Sequence, residues 1–452
     1  MSFQSALLRD QNRVHKFHAL PIPAPGLLAC SALILASVYD KSGLIVNLGQ
    51  RSVSVSFFKL LFLALIVFYL LDPVRSRRKF SASFDRRLFW LIAGFIVVQT
   101  ITSFLGLYFA PGSVSIPSEI YYLIQRGSFL FIPMLALRYN MTPKSVLKVF
   151  IAAVILHDLF ILLQFVSPVA YRSFAEWVND PLRLDNGLGW TDRSWNFIGL
   201  QTTSNYGSFV ASFGLLVLAF TPRTLPQTIV KWTILLLAVS IALLGPARSV
   251  FIMTAVALLL FAKRTGRFSR FSTYFTILLF LTLVFSIQIF GIFTFRLKDF
   301  TSIHALVQPE VKEASTEGKL RITHYGFQLF LQSPVVGWGQ RPFSLISEPL
   351  GNQSYFTSET HSYALSTLLS TGLIGLIAYL AVFVGITKAL WRNKSTDFAI
   401  LGGMFIGLNI YNIIYDAGGL DVFACFNGVV AYYALRSHKG SLRCSPLYRT
   451  GG

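Results

Sequence analysis

Carboxylates are scarce in this chain. Its 452 residues carry 19 Asp and Glu against 39 Lys and Arg, a formal net charge of +20. Charge of both signs together reaches only 13% of residues, where soluble domains hold roughly 25%. That is too little to coat a soluble globule of this length. Cysteine is nearly missing as well: Cys30, Cys425 and Cys444 are the whole set. None stands in a CxxC or other ligand spacing, so the pattern supports neither a disulfide framework nor a zinc site. No apolar stretch opens the chain. Residues 1–24 are polar, basic and contain proline, so no cleavable signal peptide is expected and the first helix serves as the insertion signal. No heptad, solenoid period or inverted repeat is visible.

Apolar residues are abundant. They make up 54% of the chain, with 42 Phe, and the mean hydropathy is +0.60. One soluble core could not bury so many. A bilayer can, at roughly 20 apolar residues per span. Apolar runs bounded by breakers lie near 25–39, 53–71, 88–109, 118–137, 147–167, 205–221, 228–244, 248–262, 272–293, 362–387, 398–415 and 420–435. The expected architecture is an all-α polytopic transmembrane bundle of about 12 helices with two long periplasmic loops.

Basic residues cluster between these runs. Arg75, Arg77, Arg78, Lys79, Arg86 and Arg87 share one connection. Lys263, Arg264, Arg267 and Arg270 share another, and Lys388, Arg392 and Lys394 a third. Connections such as 110–117 and 416–419 have no Lys or Arg. The positive-inside rule puts the basic set, with both tails, in the cytoplasm. The same clustering accounts for the net charge without nucleic acid. The chain then divides into a cytoplasmic tail (1–24), N-terminal spans with the first periplasmic loop (25–193), a core (194–390) that includes loop 294–361, C-terminal spans (391–435) and a cytoplasmic tail (436–452).

Both long loops fall on the outer side. The first, 168–204, holds Arg172, Arg183, Arg193, Trp177, Trp190 and Trp195. The second, 294–361, contains a helix expected at 320–332, followed by Ser333-Pro334 and Gly337-Trp338-Gly339. Three basic side chains reach the same outer level. Arg248 follows the short connection Gly245-Pro246-Ala247, Arg321 begins the loop helix, and His361 opens a span. Arginine forks fit phosphate oxygens, and histidine is the side chain suited to proton transfer near neutral pH. Each also has a plain reading: Arg248 as a lipid-phosphate anchor, Arg321 as a solvated helix residue, His361 as a helix-start residue bonded to nearby backbone. Arg126 and His157-Asp158 stand inside apolar runs. They suit internal pairing or a cavity lining.

Three segments carry a resemblance. They are Leu244-Gly245-Pro246-Ala247-Arg248-Ser249; Arg321-Ile322-Thr323-His324-Tyr325-Gly326 leading to Ser333-Pro334-Val335-Val336-Gly337-Trp338-Gly339; and Thr360-His361-Ser362-Tyr363 with Ser370-Thr371-Gly372-Leu373-Ile374-Gly375-Leu376. In their order they resemble the O-antigen ligase and polymerase family of bacterial surface-polysaccharide enzymes, over roughly 195–385. The chain departs from the family pattern at Pro246-Ala247 before the first Arg, and at Ser362 after the His.

The resemblance implies an inner-membrane, metal-independent and cofactor-free glycosyltransferase. Its donor would be an undecaprenyl-diphosphate-linked glycan, and its acceptor a glycan or lipid A–core hydroxyl at the periplasmic face. It implies catalytic roles for His361, Arg248 and Arg321, and substrate contacts for Arg193, His324, Tyr325 and Trp338. Polymerase and ligase stay open. The rival from another class is a transporter or flippase, which predicts midplane charges, broken helices and paired repeats.

Overall fold

A computed structural model describes residues 25–39, 42–48, 51–71, 84–109, 116–139, 141–177, 189–190, 195–196, 198–201, 204–244, 248–266, 314–339, 362–414 and 421–436. The protein is a helical bundle. Its helices are α1 (Pro25–Val38), α2 (Phe57–Leu71), α3 (Arg86–Phe109), α4 (Ile116–Arg138), α5 (Pro143–Val166), α6 (Pro168–Trp177), α7 (Ser204–Ser212), α8 (Leu225–Leu244), α9 (Arg248–Thr265), α10 (Ala314–Gln332), α11 (Tyr363–Arg392), α12 (Thr396–Ile414) and α13 (Asp421–Arg436). A 3-10 stretch, Phe213–Ala219, continues α7.

Each expected apolar run coincides with a helix, except 272–293, which lies outside the described residues. Arg86–Gly106, Pro143–Val166, Leu225–Ala242 and Tyr363–Arg392 are long and apolar enough to cross a membrane. Leu27–Val38, Phe57–Leu71 and Tyr206–Ala219 are apolar but shorter.

Two short ribbons stand outside the helices. Ser42–Leu48 pairs antiparallel with Arg51–Ser56, and Gly189–Trp190 with Trp195–Asn196. The first takes residues 53–56 from the expected second span. There Val53 and Val55 alternate with serines, a strand period rather than a helical one. Helix α6, inside the stretch 168–204, was not visible as an apolar run.

Small residues let the helices approach. On α12, a methyl group at Gly403 would meet the Ala257 carbonyl oxygen at 2.6 Å, and one at Gly407 the Met253 carbonyl oxygen at 2.5 Å. This is the close backbone packing favoured between membrane helices, and it runs α9 antiparallel to α12. Ser128 Oγ donates to Ala424 O (3.0 Å) and sets α4 beside α13. The aromatic rings of Phe150, Phe209, Phe213, Tyr411 and Phe426 fill the centre.

Buried polar groups pair locally. Lys59 Nζ lies 3.5 Å from Asp421 Oδ1, and Ser56 Oγ donates to Asp421 Oδ2 (2.5 Å). His157 Nδ1 accepts from Leu200 N (3.0 Å), and its Nε2 is 3.0 Å from Gly207 O. With Nδ1 accepting, Nε2 must carry the proton, so the imidazole is neutral. Asp158 is buried, and neither of its oxygens has a hydrogen-bond partner among the described residues.

Candidate active site at the broken helix

Helix α11 starts at a sound cap: Ser362 is extended, and its hydroxyl accepts from Leu365 N. Ten residues after this cap the helix breaks. Gly372 has φ 64° and ψ −164°, a conformation left-handed in φ that only glycine adopts without strain. In an unbroken helix the N–H groups of Leu373 and Ile374 would donate to Leu369 O and Ser370 O. Here they donate to Pro334 O (2.8 Å) and Val335 O (3.4 Å). The two released carbonyls accept instead from Trp338 N (2.6 Å) and Gly339 N (3.0 Å). The turn Ser333–Gly339 is thus lodged in the gap and replaces both severed bonds with four. A break inside a membrane helix is tolerated when its backbone groups are satisfied this way.

The glycine motifs follow from this contact. A methyl group at Gly337 would lie 2.6 Å from both Gly372 N and Leu369 O, and one at Gly106 on α3 would lie 2.8 Å from the Trp338 carbonyl carbon. Gly337 and Gly339 themselves have φ of 71° and 79°. Ser333 Oγ donates to Gly337 O (2.7 Å) and Trp338 Nε1 to Leu329 O (2.9 Å), which bind the turn to the helix before it.

That helix, α10, lies along the first half of α11. Tyr325, Leu329, Phe330, Leu365 and Leu369 form one buried cluster against which Trp338 and Leu368 pack. Gly326 lies against Leu365, and Trp338 joins the two helices further on, its indole N–H donating to Leu329 O and its backbone N–H to Leu369 O. Residue numbers rise together on the two helices, so they run parallel. The short half of α11 is also folded over. The Tyr363 ring is 5.3 Å from Tyr379 and 5.6 Å from Phe423, whereas a straight helix would separate Tyr363 and Tyr379 by about 24 Å.

The structure treats the site residues of the sequence unequally. Arg248 opens α9. Because α9 and the long half of α11 both run antiparallel to α12, Arg248 starts at the same end of the bundle as the Gly372 break. Arg321 belongs to α10. The side chains of both arginines, and all of His361 and Arg193, lie outside what is described. His324 is exposed, and its Nε2 accepts from Gln328 Nε2 (3.0 Å). Tyr325 is buried in the cluster, and that burial pushes its hydroxyl pKa up. Trp338 spends its indole N–H on Leu329 O. The described contacts of Tyr325 and Trp338 therefore build the interlock.

The site roles drawn from the sequence left out Arg126 and Gln99. Arg126 Nη1 donates to Gln99 O (3.3 Å), and Gln99 Nε2 to Gly375 O (3.5 Å), just below the break. A lone charge in an apolar run was the sequence signal for Arg126. Nothing comparable marked Gln99. Among the described residues no group of His, Cys, Asp and Glu could hold a metal ion.

Long apolar helices, close glycine packing and a turn lodged in a broken helix define a multi-spanning membrane protein. Residues 232–380 match the family model described as O-antigen ligase, in line with the resemblance that the motifs of this stretch carry. The matched stretch includes Arg248, Arg321, His361 and both partners of the interlock, but not Arg193. The family's activity is glycan transfer of the ligase or polymerase type. No curated protein matches the chain.

Proposed function

We propose that this chain transfers a glycan from undecaprenyl diphosphate to a sugar hydroxyl at the periplasmic face of the inner membrane. The observation that carries the reading is the parallel register of α10 and the short half of α11. Continuing that register about one turn past Gly326 and Leu365 reaches Arg321 on α10 and the Ser362 cap on the other segment, and His361 precedes that cap in the sequence. In this reading His361 takes the proton from the attacking hydroxyl as its oxygen bonds to the sugar's anomeric carbon. The bond from that carbon to the diphosphate breaks, and the diphosphate keeps the electron pair. Arg321 and Arg248 offset the charge that develops on it. Arg193, His324, Tyr325 and Trp338 are the candidates for glycan contact.

The broken helix is also what a transporter would use. There, unwound backbone groups coordinate the cargo. Here Leu369 O, Ser370 O, Leu373 N and Ile374 N are all taken by the turn, which favours a fixed scaffold over a gate.

Turnover of a purified lipid-linked glycan in nanodiscs tests the assignment. His361→Ala and Arg321→Ala should each lose about 10²-fold or more in rate. Arg248→Lys should also be impaired, because a point charge does not replace a fork. Full activity in His361→Ala would end the proposal.

A further inference from the structure

One charged side chain in the bundle has no part in the reading so far. Arg126 is 9% exposed. It stands about 15 Å along α4 from that helix's outer end. Its neighbours define its level. Gln99 O receives its Nη1, and the Gln99 amide reaches Gly375 O. One turn away, Phe129 packs on Phe95 (5.8 Å) and Phe95 on Tyr379 (6.1 Å). Ser128, two residues from Arg126, bonds to Ala424 O, next to Phe423. Tyr379 and Phe423 are the two rings that receive Tyr363 from the folded-over half of α11. Arg126 and the head of that half-helix are therefore linked through Phe129, Phe95 and Tyr379 on one side and Ser128, Ala424 and Phe423 on the other, and Tyr363 is two residues from His361. The outer ends of α3 and α4 continue past this level, with Gly106 holding the lodged turn against α3.

We propose that Arg126 is a third cation of the donor site, contacting the diphosphate of the lipid-linked substrate. Gln99 acts as its positioning residue, since it fixes Arg126 to the same level as Gly375. The chemistry fits. A guanidinium offers a planar fork to phosphate oxygens, and ionisable residues at membrane depth are costly unless they face an interior or a polar ligand. With Arg248 and Arg321, Arg126 would make three guanidiniums to hold a diphosphate between lipid tail and glycan. This inference rests on the transfer reading given above.

The test uses the full chain in nanodiscs, with undecaprenyl diphosphate lacking any glycan as the binding probe. Arg126→Gln should weaken binding by about tenfold or more, with an unchanged melting temperature. Arg126→Lys should fall between Gln and wild type, and KM for the donor should rise more than kcat falls. Wild-type affinity in Arg126→Gln would overturn the inference and leave the transfer reading standing. Failure of the unmodified protein to bind the probe would instead sink the transfer reading. Should Arg126→Gln not fold, the wild-type protein still decides the matter. A diazirine on the isoprene next to the diphosphate should label a peptide within 123–137. Labelling confined to other segments would overturn the role.

Discussion

Gly372 shows how much one residue can carry. A side chain there would strain a backbone with φ 64° and would also collide with the Val335 carbonyl. The backbone term alone costs about 1–3 kcal/mol. Gly372→Ala is therefore expected to lower the thermal midpoint in detergent and to expose the 333–339 turn to limited proteolysis. Wild-type resistance would show that the interlock does not depend on this glycine. The buried pair Lys59–Asp421 makes a different prediction. Removing one partner strands a charge, so Asp421→Leu should cost about 3–5 kcal/mol. Lys59→Met combined with Asp421→Leu should recover most of it, because the desolvated charges are then both gone. A double-mutant cycle on thermal unfolding reads this directly.

Elements were legible from sequence where period and length spoke clearly. The loop helix was expected at 320–332 and extends over Ala314–Gln332. The break at Gly372 was not read, because Ser370-Thr371-Gly372 continues an apolar run without proline. Glycine tolerates a helix or a break, and the choice was made by a turn more than thirty residues earlier in the chain. The lodged turn predicts that Trp338→Phe, which keeps the ring but loses the bond to Leu329 O, costs about 1 kcal/mol. Hydrogen exchange in α10 should rise with it. At the other end of the bundle Arg264 donates to the Leu390, Asn393 and Phe398 carbonyls and stacks on Trp391. It closes the connection from α11 to α12. Arg264→Ala should destabilise this hairpin without altering donor affinity, measured by the same probe-binding titration.

At the scale of the molecule, the arrangement sets one end of the bundle apart. Helices α9 and α11 begin at that end, and the arginine-bearing α10 lies against the folded-over half of α11. The sidedness read from loop charge predicts that Cys444 reacts with a membrane-permeant maleimide in intact cells and not with an impermeant one. Reaction with both would invert the topology and place the proposed site in the cytoplasm.

By itself the sequence determined the solvent, the order of the spans and the basic end of the bundle. Apolar run length and loop charge are local sums, and the bilayer reads them one segment at a time. It also brought the family into view through short motifs at 244–249, 321–339 and 360–376. What those glycines are for was decided only in three dimensions. Four backbone groups freed by a break must be satisfied, and the turn that satisfies them comes from another part of the chain. The same holds for Arg126. Its charge is plain in the sequence, but its place near the head of α11 depends on how α3, α4, α11 and α13 pack.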